Sequence, residues 1–98
     1  MSYEESITKV DGEDKGKLFL FTLSTCIWCR KTKALLDTLG VAYSYVDVDT
    51  LEGDAAEAVM EELHKYNPQT SFPTIVFNDG EKVILGFEED KIRECLNK

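Results

Sequence analysis

Two cysteines three positions apart, Cys26 and Cys29, stand between a continuous apolar run and an amphipathic helical pattern, and this placement limits the fold more than any other feature of the 98-residue chain. The run over residues 18–23 carries a single Thr, which suits a strand buried on both faces, as parallel sheets require. Beyond it, Cys29, Thr32, Leu35, Leu36 and Leu39 recur at spacings of three and four, and Gly40 supplies a left-handed stop. The spacing predicts a strand, a tight turn, and a helix that opens at the cysteines. Two sulfurs one turn apart at a helix start lie within bonding distance of each other. The unpaired N–H groups and the positive end of the helix dipole favour a thiolate at Cys26, so Cys26 is the expected nucleophile and Cys29 the expected resolving thiol.

The remaining elements are read in the same way. Residues 41–49 carry Val41, Tyr43, Tyr45, Val46 and Val48, a β-rich segment whose acidic end, Asp47 and Asp49, leads into a loop at Gly53. Asp54 with Glu57 three residues on resembles a capping box, and Ala58, Val59, Leu63 and Tyr66 continue a helix that Asn67-Pro68 stops. Residues 74–77 and 82–85 read as short strands joined by Asn78-Asp79-Gly80, and residues 88–96 close with Ile92, Cys95 and Leu96 on one helical face. The order is βαβαββα. It predicts an α/β class with a mixed four-stranded sheet: the first two strands are parallel through a right-handed crossover, the final hairpin adds an antiparallel edge, and helices cover both faces. Residues 1–17 are polar and charged, with a structured hint only over residues 7–10 before the turn dipeptide Asp11-Gly12; they read as a frayed arm or an added edge strand, leaving residues 18–98 as the folded domain.

Composition removes several function classes. Lys+Arg 11 against Asp+Glu 19 gives a net charge of −8, which repels phosphate backbones and anionic lipid, so neither nucleic acid nor a membrane surface is an expected partner. The longest run of aliphatic and aromatic residues, over residues 18–21, is far short of the roughly 20 needed to cross a bilayer. Residues 1–5 lack the basic and apolar regions of a signal peptide, and the cytosol is the expected compartment. Three cysteines are too few for a secreted disulfide scaffold, whereas a Cys-x-x-Cys pair in a cytosolic chain points to redox chemistry or metal. A zinc site would need more ligands, and the candidates His64 and Cys95 have no paired spacing with each other. No cofactor or metal is therefore expected. Cys95 fits an apolar stripe, His64 a solvent-facing helix rich in Glu, and Trp28 an apolar rim formed with Phe72 and Phe87.

Three landmarks together resemble a family. Phe21-Thr22-Leu23-Ser24-Thr25-Cys26-Ile27-Trp28-Cys29, then Ser71-Phe72-Pro73-Thr74, then Ile84-Leu85-Gly86-Phe87 with Asp90 downstream, are similar to the glutaredoxin branch of the thioredoxin superfamily in order and spacing. The resemblance implies a thioredoxin-like fold and dithiol-disulfide chemistry at Cys26 and Cys29. It also implies a cis Pro73 against the cysteine pair, a Phe72 backbone free to pair with an extended substrate, and a substrate surface that includes Trp28, Phe72, Pro73, Gly86 and Phe87.

The departures bear on the reductant. Glutathione-using glutaredoxins usually carry a lysine shortly before the first cysteine, Pro-Tyr between the cysteines and a double glycine before the last helix. Here those positions read Leu23, Ile27-Trp28 and Leu85-Gly86. Glutathione is itself an anion, which a chain of charge −8 without that lysine holds poorly. Gly86-Phe87 with Asp90-Lys91-Ile92 is similar instead to small glutaredoxin-like redoxins. The resemblance to these implies a monomer that takes electrons from a protein disulfide reductase, of the thioredoxin-reductase or ferredoxin-dependent type. It implies disulfide-containing protein substrates, ribonucleotide reductase among them. The alternatives are a glutathione-dependent glutaredoxin, or a module in which Cys26 helps to hold zinc or a shared iron–sulfur cluster.

Overall fold

Alternation along the central strands separates two cores in the computed structural model, which describes residues 3–97. Met1 and Ser2 of the expected arm, and Lys98 at the end of the expected domain, lie outside the described residues. In chain order the elements are β1 (Thr8–Val10), β2 (Leu18–Thr22), α1 (Ile27–Leu39), β3 (Tyr43–Asp47), α2 (Gly53–Tyr66), β4 (Thr74–Phe77), β5 (Lys82–Leu85) and α3 (Glu89–Leu96). They build a five-stranded sheet of order β1-β3-β2-β4-β5. Only β2 and β3 are parallel; the other neighbours are antiparallel. Leu18 and Leu20 of β2 join Ile75, Leu35 and Leu36 of α1, and Ile92 and Leu96 of α3 on one face. Phe21, Val46 and Val76 meet Val59 and Leu63 of α2 on the other. Each face of β2 is thus covered by helix, which is why its sequence is an unbroken apolar run rather than an alternating one.

The chain has the α/β class that its element order implies and the thioredoxin-like architecture that the family resemblance implies, and the differences are local. The arm contributes an edge strand, β1, paired with β3 from Thr8 opposite Tyr45 to Val10 opposite Tyr43. Gly12 lets the arm run close against the end of α1. A Cβ there would lie 2.5 Å from the Val41 carbonyl carbon, and the close approach lets Glu13 exchange backbone hydrogen bonds of 2.8 Å with Gly40 and Ala42. Val41 lies in that bridge and Val48 in a 3-10 turn, so β3 is shorter than the β-rich segment around it.

The expected capping box at Asp54 does not form. The N-cap of α2 is Glu52, with no side-chain cap, and the Ala56 N–H donates to the Glu52 carbonyl at 3.4 Å. Asp54 therefore lies inside the first turn, where its charge still faces the positive end of the dipole. The last helix begins at Glu89 rather than Glu88, which serves as its N-cap.

The connection from α2 to β4 is set by a buried polar side chain. Asn67 is fully buried, and its Nδ2 donates to Thr74 Oγ1 at 2.9 Å, Ser71 Oγ at 3.0 Å and the Ser71 carbonyl at 3.2 Å, while its Oδ1 accepts the Gln69 N–H at 3.1 Å. Among the described residues no buried side-chain polar atom lacks a partner. Replacing Asn67 by Ala would leave several of these groups unpaired, so Asn67→Ala is predicted to lower stability by about 2–3 kcal/mol in urea unfolding. A loss below about 0.5 kcal/mol, the range of ordinary surface changes, would show that this network does not hold the loop.

Candidate active site

At the end of β2 the chain turns and caps α1 with a sulfur. The Cys26 N–H donates to the Leu23 carbonyl at 3.2 Å, and Cys26, extended at φ −87 and ψ 118, is the N-cap residue. Its Sγ accepts the Cys29 N–H at 3.2 Å, the place a Ser or Asp oxygen takes in most helices. The turn is pinned from β3's side. Asp49 accepts the Ser24 N–H at 2.9 Å and the Ser24 hydroxyl at 2.6 Å, and these bonds, the hydroxyl's above all, hold the Asp49 carboxyl below the usual carboxylate range.

The two thiols differ sharply in environment. Cys26 is half-buried, whereas Cys29 is 0% exposed, packed behind it on the first turn of α1. Burial pushes the Cys29 thiol from its ordinary 9.0 up to about 12, and its hydrogen bond with Cys26 acts in the same sense. A backbone hydrogen bond from Leu23 and the Lys33 ammonium act against it. The accessible sulfur can therefore meet an external disulfide, while the buried one stays protonated and is reached from within.

Beside this pair lie the other expected residues. Phe21 pairs with Thr74 across β2 and β4, so Pro73 sits next to the end of β2 from which the cysteine turn departs. The Phe72–Pro73 bond is cis, Pro73 is buried, and its carbonyl accepts the Gly86 N–H at 2.8 Å. Phe72 makes no backbone hydrogen bond among the described residues, which leaves both its N–H and C=O for an added extended segment. Trp28 is 53% exposed and stacks on Phe87 at 5.9 Å with 24° between the rings, and Lys31 Nζ lies 5.5 Å from the indole centroid. The rim differs from expectation in one member. The Phe72 ring is partly buried against the core cluster that includes Val59 and Leu63 of α2, and among the described residues it makes no ring contact with Trp28 or Phe87. Ile27 and Leu85 are the other large apolar side chains left exposed, at 61% and 44%.

Sequence reasoning passed over a polar group beneath the site. Lys33, one turn after Cys29, lies 3.4 Å from Asp47 Oδ1 and 3.7 Å above the Tyr45 ring, and Asp47 Oδ1 is 2.6 Å from the buried Thr22 hydroxyl. The one available signal is the i, i+4 spacing of Cys29 and Lys33. The candidate zinc ligands stay apart: His64 Nε2 is 2.9 Å from Thr70 Oγ1, and Cys95 is half-buried against the core on α3. Among the described residues no group of three or more His, Cys, Asp or Glu is placed to hold a metal ion.

Known proteins are similar to this chain in sequence and fold. The glutaredoxin family model matches residues 18–83, which span β2 and the cysteine turn through the first half of β5. The chain belongs to the glutaredoxin family. Among solved structures, this glutaredoxin is similar to the methanoredoxin of Methanosarcina acetivorans, with a TM-score of 0.88 and 47% identity over 93% of this chain and 96% of that one. It is also similar to the glutaredoxin of Methanosarcina mazei Go1, with a TM-score of 0.85 and 50% identity over 95% and 89%. A glutaredoxin-like 8.6 kDa protein in a rubredoxin operon of Clostridium pasteurianum is 30% identical over 79 residues, 81% of this chain and 96% of that protein. The family and these neighbours make the chain a thiol-disulfide oxidoreductase. No helix among the described residues is long and apolar enough to cross a membrane.

The raised Cys29 thiol has a pH signature. In the unfolded chain the thiol ionises near its ordinary value, while the folded chain keeps its proton, so this contribution to stability is present below about pH 9 and is lost as pH rises towards about 12. Tyr3, also pushed up to about 12 by burial, and Tyr43, raised by burial and by its 2.9 Å bond to Asp37, act in the same direction. The reduced protein is predicted to lose stability more steeply between pH 9 and 12 than Cys29→Ser, which retains only the tyrosine contributions. Parallel pH profiles in thermal melts would refute the assignment.

Proposed function

We propose that this glutaredoxin reduces disulfides in protein substrates through Cys26 and Cys29, and that a protein disulfide reductase, rather than glutathione, returns it to the dithiol. The observation that carries the reading is the asymmetric thiol pair beside an exposed Trp28–Phe87 stack. Cys26 thiolate attacks one sulfur of a substrate disulfide, forming a mixed disulfide and expelling the other sulfur as a thiolate. Cys29 then attacks Cys26 Sγ. The Cys26–substrate bond breaks, its electron pair leaves on the substrate sulfur, and the Cys29 proton ends there or in solvent. Two electrons have moved to the substrate, and the redoxin holds an internal disulfide.

Several features favour a macromolecular partner. The Phe72 backbone offers an unpaired donor and acceptor to an extended segment, as a strand edge does. The Trp28–Phe87 stack is exposed on its Trp28 side, and Ile27 and Leu85 are exposed apolar side chains as well, groups of the kind a protein partner covers. Leu23 and Leu85 replace a lysine and a glycine of glutathione-using relatives, and the charge of −8 opposes an anionic reductant. A cytosolic thioredoxin-reductase-type or ferredoxin-dependent enzyme fits these features, and ribonucleotide reductase is one substrate of suitable chemistry.

Cys26→Ser is expected to abolish disulfide reduction, and Cys29→Ser to accumulate a mixed disulfide on Cys26, visible by mass spectrometry without reductant. Absence of adducts in Cys29→Ser would overturn the two-step mechanism. The electron source is tested by a coupled assay at matched redox poise, with glutathione and its reductase in one arm and thioredoxin-reductase-type or ferredoxin-dependent enzymes in the other. Saturable turnover is expected with a protein reductase. Efficient turnover in the glutathione arm alone would instead make the protein a glutathione-dependent glutaredoxin.

A further inference from the structure

A groove lies on the α2 face of the sheet and reaches the Lys17–Asp79 end of β2, opposite the cysteine turn; none of the three cysteines lines it. Its volume is about 550 Å³, within the range of small-molecule sites. Its walls come from four segments: the arm before β1, the strands β2 and β4, the helix α2 and the β4–β5 hairpin at Asp79. The floor is aromatic. Phe19 and Phe21 stand edge to face at 5.0 Å, the Phe21 and Tyr66 rings are 6.3 Å apart, and Tyr3 of the arm packs on the same cluster. At this wall α2 presents Ala58, a methyl group where a larger side chain would fill the space.

The rim is charged, and its charges do not cancel. Lys17 pairs with Asp79 at 2.8 Å and Lys65 with Glu62 at 3.2 Å, which occupies both ammonium groups of the rim. Glu61 is left over, exposed and without a cation partner among the described residues. The phenols lining the groove feel the surplus. Burial raises both Tyr3 and Tyr66, and carboxylates raise them further: Glu62 and Glu4 act on Tyr3, Glu62 and Asp79 on Tyr66, with Lys65 opposing more weakly. Aromatic ring faces carry negative potential, so floor and rim favour a positive charge in the same place. We infer that this groove binds a small organic cation with an aromatic body, its ring against Phe19, Tyr66 and Tyr3 and its ammonium facing Glu61. No thiol lines the groove, so the cation is held there without redox exchange, and the inference stands apart from the chemistry of Cys26 and Cys29. A second copy of this chain, of charge −8, would bring like charge to the same rim.

The test varies the charge on one carbon skeleton. Isotope-labelled, reduced protein is titrated at millimolar concentration with phenethylammonium, with neutral phenethyl alcohol and with anionic phenylpropionate, and backbone amide shifts are followed by NMR. The cation is expected to move the Phe19, Ala58 and Val76 amides to saturation and to bind about tenfold more tightly than the alcohol, while the anion moves none of them. Butylammonium, which keeps the charge and lacks the ring, is expected to bind several-fold more weakly than phenethylammonium. Ala58→Phe, which fills the groove from α2, is expected to remove the saturable shifts. Glu61→Gln is expected to weaken the cation several-fold and to leave the alcohol unchanged. Both variants are expected to reduce disulfides at the rate of the unaltered protein, which also checks that they fold. Equal binding of phenethylammonium and the alcohol, or of phenethylammonium and butylammonium, would overturn the assigned ligand class. Saturable shifts confined to Trp28 and Phe87, or none at all, would overturn the site. Groove amides that move with protein concentration alone would make a second copy the occupant and overturn the small-molecule assignment.

Discussion

The hydrogen bond from the Cys29 amide to Cys26 Sγ, 3.2 Å long, ties the chemistry of this protein to its fold. A helix must satisfy its first N–H groups, and here a sulfur does so where an oxygen usually would. The capping requirement thereby fixes Cys26 at the protein surface and places Cys29 one turn further in, against the sheet. An accessible sulfur and a desolvated one follow from a single local motif, provided that α1 packs firmly on the strands. Leu35 and Leu36, buried with Leu20 and Ile75, supply that packing.

Other parts of the molecule brace the same point. Asp49 holds Ser24 in the turn before the cap, and the Asn67 network holds the segment that carries Pro73. Gly86 donates to the Pro73 carbonyl, linking the end of β5 to the start of β4. At the opposite end of β2, Lys17 and Asn78 exchange hydrogen bonds of 2.7 and 2.8 Å, and the Lys17–Asp79 ion pair at 2.8 Å lies over them. That exposed ion pair adds little energy, so the β4–β5 hairpin owes its position mainly to the backbone ladder and the apolar faces on either side.

What could be read in the sequence had local causes. Strands β4 and β5 are bounded by Pro73, by Asn78-Asp79-Gly80 with φ of 50, 57 and 111, and by Gly86, residues whose backbone preferences act without distant partners. Gly40, left-handed at φ 72, ends α1 for the same reason. What could not be read depends on contacts distant in sequence. The 14-residue separation of Lys33 and Asp47 closes only when β3 lies alongside β2. The packing of the Phe72 ring against the cluster with Val59 and Leu63 of α2 is likewise a contact only the folded chain makes. Asp54 misled because the start of α2 is fixed by the backbone at Glu52 rather than by a side-chain cap.

The central claim is that the fold divides two chemically identical thiols into an accessible attacker and a buried, protonated partner. The most direct measurement is pulse alkylation of the fully reduced protein with iodoacetamide at pH 8, quenched over time and mapped by mass spectrometry to each cysteine. The account predicts that Cys26 is modified first and that Cys29 stays unmodified until the protein is unfolded. Equal labelling of Cys26 and Cys29 in the folded protein, or modification of Cys29 before Cys26, would contradict it.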